Sequence, residues 1–179
     1  MAERGPEGPA PETVKGALEA LLLVASEPLT PRRAAGILGL TEAQARAYLR
    51  LLAAEYEERR GGLEVIEVGG GYRLVSRPEF DVYISRLEPT RAPAPLSAAA
   101  VETLAIVAYR QPVTRAGIEA VRGVRCEGVL GTLLERGLIE EVGRGEGPGR
   151  PILYGTTSRF LEYFGLRDLA DLPPLPHPG

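Results

Sequence analysis

The sequence predicts a mainly α protein with small β-hairpins, an α+β fold built from two tandem copies of one module. Three observations predict it: a Pro-rich break near the middle of 179 residues, the same order of helix, cap and turn signals on either side, and matching short segments at near-constant spacing. The break, Glu88–Pro95, reads EPTRAPAP, and its three prolines hold it extended. The expected organisation is residues 14–88 and 97–172 for the modules, 89–96 for the linker, and 1–13 and 173–179 for ends without a basis for packing.

In the first module Val14, Leu18, Leu21, Leu22 and Ala25 recur at helical spacing. Thr30 before Pro31 reads as a capped helix start, running to about Leu38. Thr41 with Gln44 three residues on is a capping box for a helix carrying Ala45, Tyr48, Leu49, Leu52, Ala53 and Tyr56 on one face. Leu63–Val68 and Tyr72–Ser76, split by Gly69-Gly70-Gly71, read as a hairpin. Ser76 with Glu79 then predicts a cap for a closing helix with Phe80, Tyr83, Ile84 and Leu87.

The second module repeats this order. Ser97 caps a helix with Val101, Leu104, Ala105 and Ala108; Thr114 caps a short one with Ile118 and Val121; Gly123 turns the chain into a third, about Cys126–Arg136, with Val129, Leu130, Leu133 and Leu134 as its apolar residues. Gly137-Leu138 reads as a left-handed helix stop. Leu138–Val142 and Ile152–Tyr154 form a hairpin around Gly143–Pro151, and Phe160, Tyr163 and Phe164 mark the closing helix. Glu27-Pro28-Leu29-Thr30 matches Gln111-Pro112-Val113-Thr114 at an offset of 84, as Gly39 matches Gly123, and Phe80…Tyr83-Ile84 matches Phe160…Tyr163-Phe164 at 80. Three helices closed by a hairpin is the winged-helix variant of the helix-turn-helix, so two tandem winged-helix domains are expected.

Such a fold proposes DNA binding, and the charges argue against it. The net charge is −3; residues 16–88 hold 9 basic and 11 acidic residues, and residues 97–172 hold 9 and 10. The third helix of the second module, CEGVLGTLLER, offers Arg136 against Glu127 and Glu135, short of what phosphate neutralisation needs. At most weak non-specific DNA contact is expected, with a sequence-specific DNA-binding regulator as the alternative class.

The first helices point to protein contacts. Ala20, Leu23 and Val24 add apolar surface beyond the core stripe, and Leu104–Tyr109 is apolar almost all round, surplus to what a helix on a small module needs. Catalysis has little to stand on. Cys126 and His177 are the only cysteine and histidine, His177 falls in the tail, and Glu140-Glu141 sits on a strand where neighbours face opposite ways. No cofactor or metal is expected. The Gly143–Pro151 loop joins two strands and lacks a Gly-Lys-Ser/Thr ending, which argues against a nucleotide site and leaves Arg144 and Arg150 as anion or carbonyl contacts. Neither a secretory start nor an apolar run of membrane length is present, and a cytoplasmic protein is expected.

Long motifs carry a family resemblance: LSAAAVETLAIVAYRQPVTRAGIEAVRG (Leu96–Gly123), GVLGTLLERGLIEEVGR (Gly128–Arg144), GRPILYGTT (Gly149–Thr157) and FLEYFGLRDLADLPPL (Phe160–Leu175), with ALLLVASEPLT and GLEVIEVGGGYRLVSRPEF in the first half. Over about residues 14–175 the chain resembles the ScpB family, segregation and condensation protein B; Arg125-Cys126-Glu127 departs from the smaller polar residues expected there. The resemblance implies two winged-helix domains, a homodimer formed mainly through the N-terminal ones, and binding to the kleisin ScpA. ScpA in turn bridges the heads of an SMC ATPase that condenses and segregates chromosomes at the nucleoid. Placed on that frame, Leu21, Leu23 and Val24 are the expected dimerisation residues, and Ile106, Tyr109 and Arg150 the expected kleisin-binding residues.

Overall fold

The computed structural model describes residues 10–87, 95–146 and 149–175. The expected N-terminal segment, linker and tail therefore lie wholly or partly outside the described residues, as do His177 and, within the wing loop, Gly147 and Pro148. The chain is an α+β protein that divides into two compact units, Met1–Thr90 and Arg91–Gly179.

The first unit contains α1 (Pro11–Val24), α2 (Pro31–Leu38), α3 (Glu42–Arg59), β1 (Leu63–Val68), β2 (Gly71–Ser76), a 3-10 turn (Pro78–Phe80) and α4 (Asp81–Leu87). The local cap signals hold. Thr30 Oγ1 accepts from the Arg33 amide, and Thr41 and Gln44 close a reciprocal capping box. Val14, Leu18 and Leu22 of α1 bury against Ala45, Leu49, Leu52 and Tyr56 of α3; each large apolar side chain so removed from water contributes about 1.5–3 kcal/mol.

Two details of this unit differ from expectation. Gly71 belongs to β2, so the hairpin turns on Gly69-Gly70 alone, both with positive φ. Ser76 caps nothing. It pairs with Leu63 at the end of the β ladder, so its backbone is committed to the strand, and Pro78 opens a 3-10 turn before α4 begins at Asp81. The closing helix then lies open: no residue of α4 is buried, and Leu87 is 85% exposed.

The second unit contains α5 (Ala98–Arg110), β3 (Val113–Thr114), α6 (Arg115–Arg122), α7 (Glu127–Glu135), β4 (Ile139–Arg144), β5 (Ile152–Thr156), α8 (Ser158–Phe164) and a 3-10 turn (Leu169–Asp171). Ser97 and Thr114 cap α5 and α6 as expected, and Gly123 stops α6 in the left-handed region. Gly137, φ 65°, ends α7, with the Leu138 amide reaching back to the Leu133 carbonyl. Its core joins α5, α7, α8 and the sheet through Leu104, Val107, Leu133, Ile139, Tyr154 and Phe160.

Here the sheet has three strands in the order β3-β5-β4, because Val113 pairs with Tyr154 and Thr114 with Leu153. A two-residue strand lacks the alternating run that would announce it in sequence. The first unit keeps its equivalent as a single bridge, Leu29 to Tyr72, with both backbone hydrogen bonds made (2.9 and 3.0 Å). The repeat is therefore physical at the Leu29/Val113 match. The first helices follow a different spacing: Val14, Leu18 and Leu22 take the buried places of Ala100, Leu104 and Ala108, an offset of 86, and the loop after α5 is two residues shorter than the loop after α1.

Candidate functional site

An apolar surface feature of the second unit starts from the periodicity of α5. One row, Ala100, Leu104, Val107 and Ala108, is buried in the core. The adjoining row, Val101, Ala105 and Tyr109 at i, i+4, i+8, lies along the rim of that core and stays partly or fully exposed. Against this row stands α8, whose start is fixed by Thr157 accepting from the Phe160 amide. Phe160 is buried, Phe164 is half open, and their rings pack 5.0 Å apart.

Gly165, φ 66°, then reverses the chain and sends Leu166–Pro173 back over α5 as a strap. The strap is held by its own polar contacts. Arg167 grips Asp171 through Nε (3.0 Å) and Nη2 (2.6 Å), its amide adds a third bond (2.9 Å), and Asp168 caps Ala170. The Arg167 side-chain bonds, reinforced by its amide, hold the Asp171 carboxyl at about 2, below its usual 3.8. At the far end the Tyr109 hydroxyl donates to the Pro173 carbonyl oxygen at 2.5 Å. The result is an open apolar groove of about 270 Å³ whose accessible walls are Val101, Ala105, Tyr109, Phe164, Leu172 and Pro173. Its chemistry suits apolar side chains of a peptide or helix.

Of the three expected kleisin-binding residues, Tyr109 lines this groove. Ile106 points to the other flank of α5, partly buried against the core. Arg150 is elsewhere, at the base of the wing, exposed and with φ 40°. Sequence reading passed over Ala105 as a groove residue, and over Phe164, Leu172 and Pro173. The row of Val101, Ala105 and Tyr109 was a signal for the first of these, but the strap's position is non-local and left none.

Of the expected dimerisation residues, Leu23 (71% exposed) and Val24 (77%) stand in the open at the C-terminal end of α1, and Leu21 packs half-buried against its own core. Ala20, next to them, is also exposed. The third helices are not basic on their open sides: α7 presents Glu127, Gly128, Thr132 and Glu135. Cys126 is buried, burial pushes its thiol up, and its amide donates to Glu119 Oε1 at 3.1 Å, which fits a packing residue at a helix start. Among the described residues no group of three His, Cys, Asp or Glu could hold a metal ion, and no helix is long and apolar enough to cross a membrane.

A family model described as segregation and condensation complex subunit ScpB matches residues 16–175. The chain is similar to segregation and condensation protein B of Desulforamulus reducens, 53% identical over 164 residues that cover 92% of this chain and 90% of the other. Among solved structures it is similar to ScpB from Mycobacterium tuberculosis, 41% identical, covering 89% of this chain and 99% of that one, with a TM-score of 0.45. A structure of a dimer of the ScpB N-terminal domain complexed with ScpA peptide is 27% identical and covers 42% of this chain and 95% of that one, with a TM-score of 0.40.

Proposed function

The chain belongs to the ScpB family of segregation and condensation complex subunits, and from that premise we propose that it is a non-catalytic adaptor that binds the kleisin ScpA. Through ScpA it joins an SMC ATPase in the cytoplasm, at the nucleoid. Each unit is read as a winged helix, over residues 14–88 and 97–172, joined by 89–96, and turned from groove reading to protein binding. The observation that carries this reading is the open apolar groove on α5, walled by Val101, Ala105, Tyr109 and Phe164. An apolar concavity whose lining carries no basic side chain fits a peptide chain better than a phosphate backbone. Homodimerisation through the first unit is assigned to Leu23 and Val24, with Leu21 beneath them; two large apolar side chains this exposed at one helix end favour burial against a second copy.

The test of the groove is Ala105→Glu in the full chain. Ala105 is exposed, so folding is expected to survive, while co-purification with ScpA should be lost. Retained binding at wild-type strength would overturn the assignment. Leu23→Glu should in turn give a monomer by light scattering at micromolar concentration, and an unchanged dimer would remove α1 from the dimer surface.

A further inference from the structure

The wing of the second unit holds a second concavity that the groove does not use. Arg115, at the first position of α6, Arg144, at the end of β4, and Arg150, before β5, line one hollow of about 340 Å³ with Ala116, Pro151, Ile152 and Tyr154. Beside it the Gly145 amide donates to the carbonyl of Pro151, one of its lining residues, at 2.7 Å. Arg115 has a carboxylate partner, Glu127 at 3.2 Å. Arg144 reaches only the Arg150 carbonyl, at 3.4 Å, and neither it nor Arg150 forms an ion pair among the described residues. Arg150 holds φ 40° directly before Pro151, a left-handed backbone that L side chains rarely adopt. The first unit has no counterpart, since its hairpin turns on two glycines.

We propose that this hollow seats one carboxylate side chain of a protein partner, gripped by Arg144 and Arg150 and backed by Arg115, with a neighbouring apolar residue resting on Ile152 and Tyr154. Guanidinium groups suit a carboxylate because their paired N–H donors match its two oxygens. Phosphate offers the same charge, but the surroundings select against a polyanion. Glu127 sits on Arg115, Glu141 faces Tyr154 across the β ladder, and Glu146 is exposed in the same loop, so three acids offset three arginines around the rim. A nucleic-acid backbone meets that rim as a whole, whereas a single carboxylate meets only the arginines. The inference rests on the reading that the second unit binds a protein partner, and names the chemistry at one point of that surface.

The experiment uses the 15N-labelled full chain and a synthetic peptide, acetyl-Ala-Leu-Ala-Glu-Leu-Ala-amide, titrated to millimolar concentration by NMR. The expected result is saturable shifts of the Arg115, Arg144 and Arg150 side-chain N–H signals, at least about tenfold weaker with glutamine in place of the peptide's glutamate. Arg150→Asn, chosen because asparagine tolerates positive φ, and Arg144→Gln should each weaken the response by a similar factor while keeping a dispersed spectrum. No response, equal responses to the two peptides, or a stronger response to inorganic phosphate or a 16-base-pair DNA duplex would each overturn the proposal, the last two marking a phosphate site. Because neither the peptide nor these arginines enter the Ala105→Glu test, failure here is distinguishable from failure of ScpA binding at the groove.

Discussion

The same flank of the first helix is covered in two different ways in the two units. In the first, Lys15 and Glu19 of α1 lie beneath the last turns of α3: Lys15 Nζ meets Glu55 Oε1 at 2.7 Å, and the Tyr56 hydroxyl donates to Glu19. In the second, the corresponding Val101 and Ala105 of α5 lie beside α8 and the strap. The cause is helix length. α3 has 18 residues and α7 has 9, and at 1.5 Å per residue the difference is about 13 Å, enough to reach past α1 or stop short of it. Where the third helix covers the first, the closing helix has nothing to lie on, and α4 exposes Val82, Tyr83, Ile84 and Leu87. Where it stops short, α8 moves in and leaves a groove. Duplication preserved the order of elements and not the assignment of which covers which.

The sharpest way to break this comparison is to truncate the matched aromatics. Phe160→Ala removes a ring buried in the core and should cost about 3–5 kcal/mol in chemical denaturation. Phe80→Ala, its sequence match, removes a half-buried ring beside Gly62 and should cost about 1 kcal/mol. Equal losses would mean that the closing segments of the two units, the 3-10 turn before α4 in one and α8 in the other, carry equal weight.

Two strand glycines, one in each unit, give a smaller contrast. A Cβ at Gly71 would lie 2.9 Å from the Leu29 carbonyl carbon and 3.0 Å from that of Pro28, backbone that cannot yield without opening the Leu29–Tyr72 bridge. Gly71→Ala should cost about 2–3 kcal/mol. At Gly155 the close atoms are side-chain atoms, Cγ1 of half-exposed Val142 at 2.8 Å, which can turn aside, and Oε1 of Gln111 at 3.0 Å, which must strain its bond from the Thr156 amide, so Gly155→Ala should cost about 1–2 kcal/mol. Thermal unfolding of both variants checks the order.

The smallest effect is confined to the strap. Because Asp171 ionises at about 2 when folded and 3.8 otherwise, its grip on Arg167 contributes fully above about pH 4 and is lost as pH falls through about 2. Hydrogen-exchange protection at Arg167 and Leu172, taken relative to each amide's intrinsic rate at that pH, should therefore fall between pH 4 and 2 in the wild type, and Asp171→Asn should show the loosened state already at neutral pH. A strap that exchanges alike in both proteins would place its anchor elsewhere.

What the sequence could show, and what it could not, divides by range. Thr30, Thr41 with Gln44, Ser97, Thr114 and Gly123 were readable because a cap or a left-handed stop involves residues three to five apart. Ser76 misled because the same residue type also ends a strand, and its pairing with Leu63 is set thirteen residues away. The surplus apolar surface at Leu23 and Val24 was legible as surplus. Tyr109 was legible as apolar excess on α5, but only the fold of α8 and the strap makes it a groove wall. Arg150 was legible as a wing arginine, and Arg115 joins it only through the β3–β5 pairing that brings α6 to the wing.

The bond from Tyr109 to Pro173 sets the terms on which a partner enters the groove. It makes Pro173, one wall of the groove, a resident neighbour of Tyr109, present at a fixed local concentration whatever the partner's supply. A single hydrogen bond of this kind contributes about 0.5–1.5 kcal/mol, so a partner that displaces it loses no more than about tenfold in affinity. The resident yields by mass action at little cost, and until then it keeps the aromatic end of the groove from offering itself to every passing apolar chain.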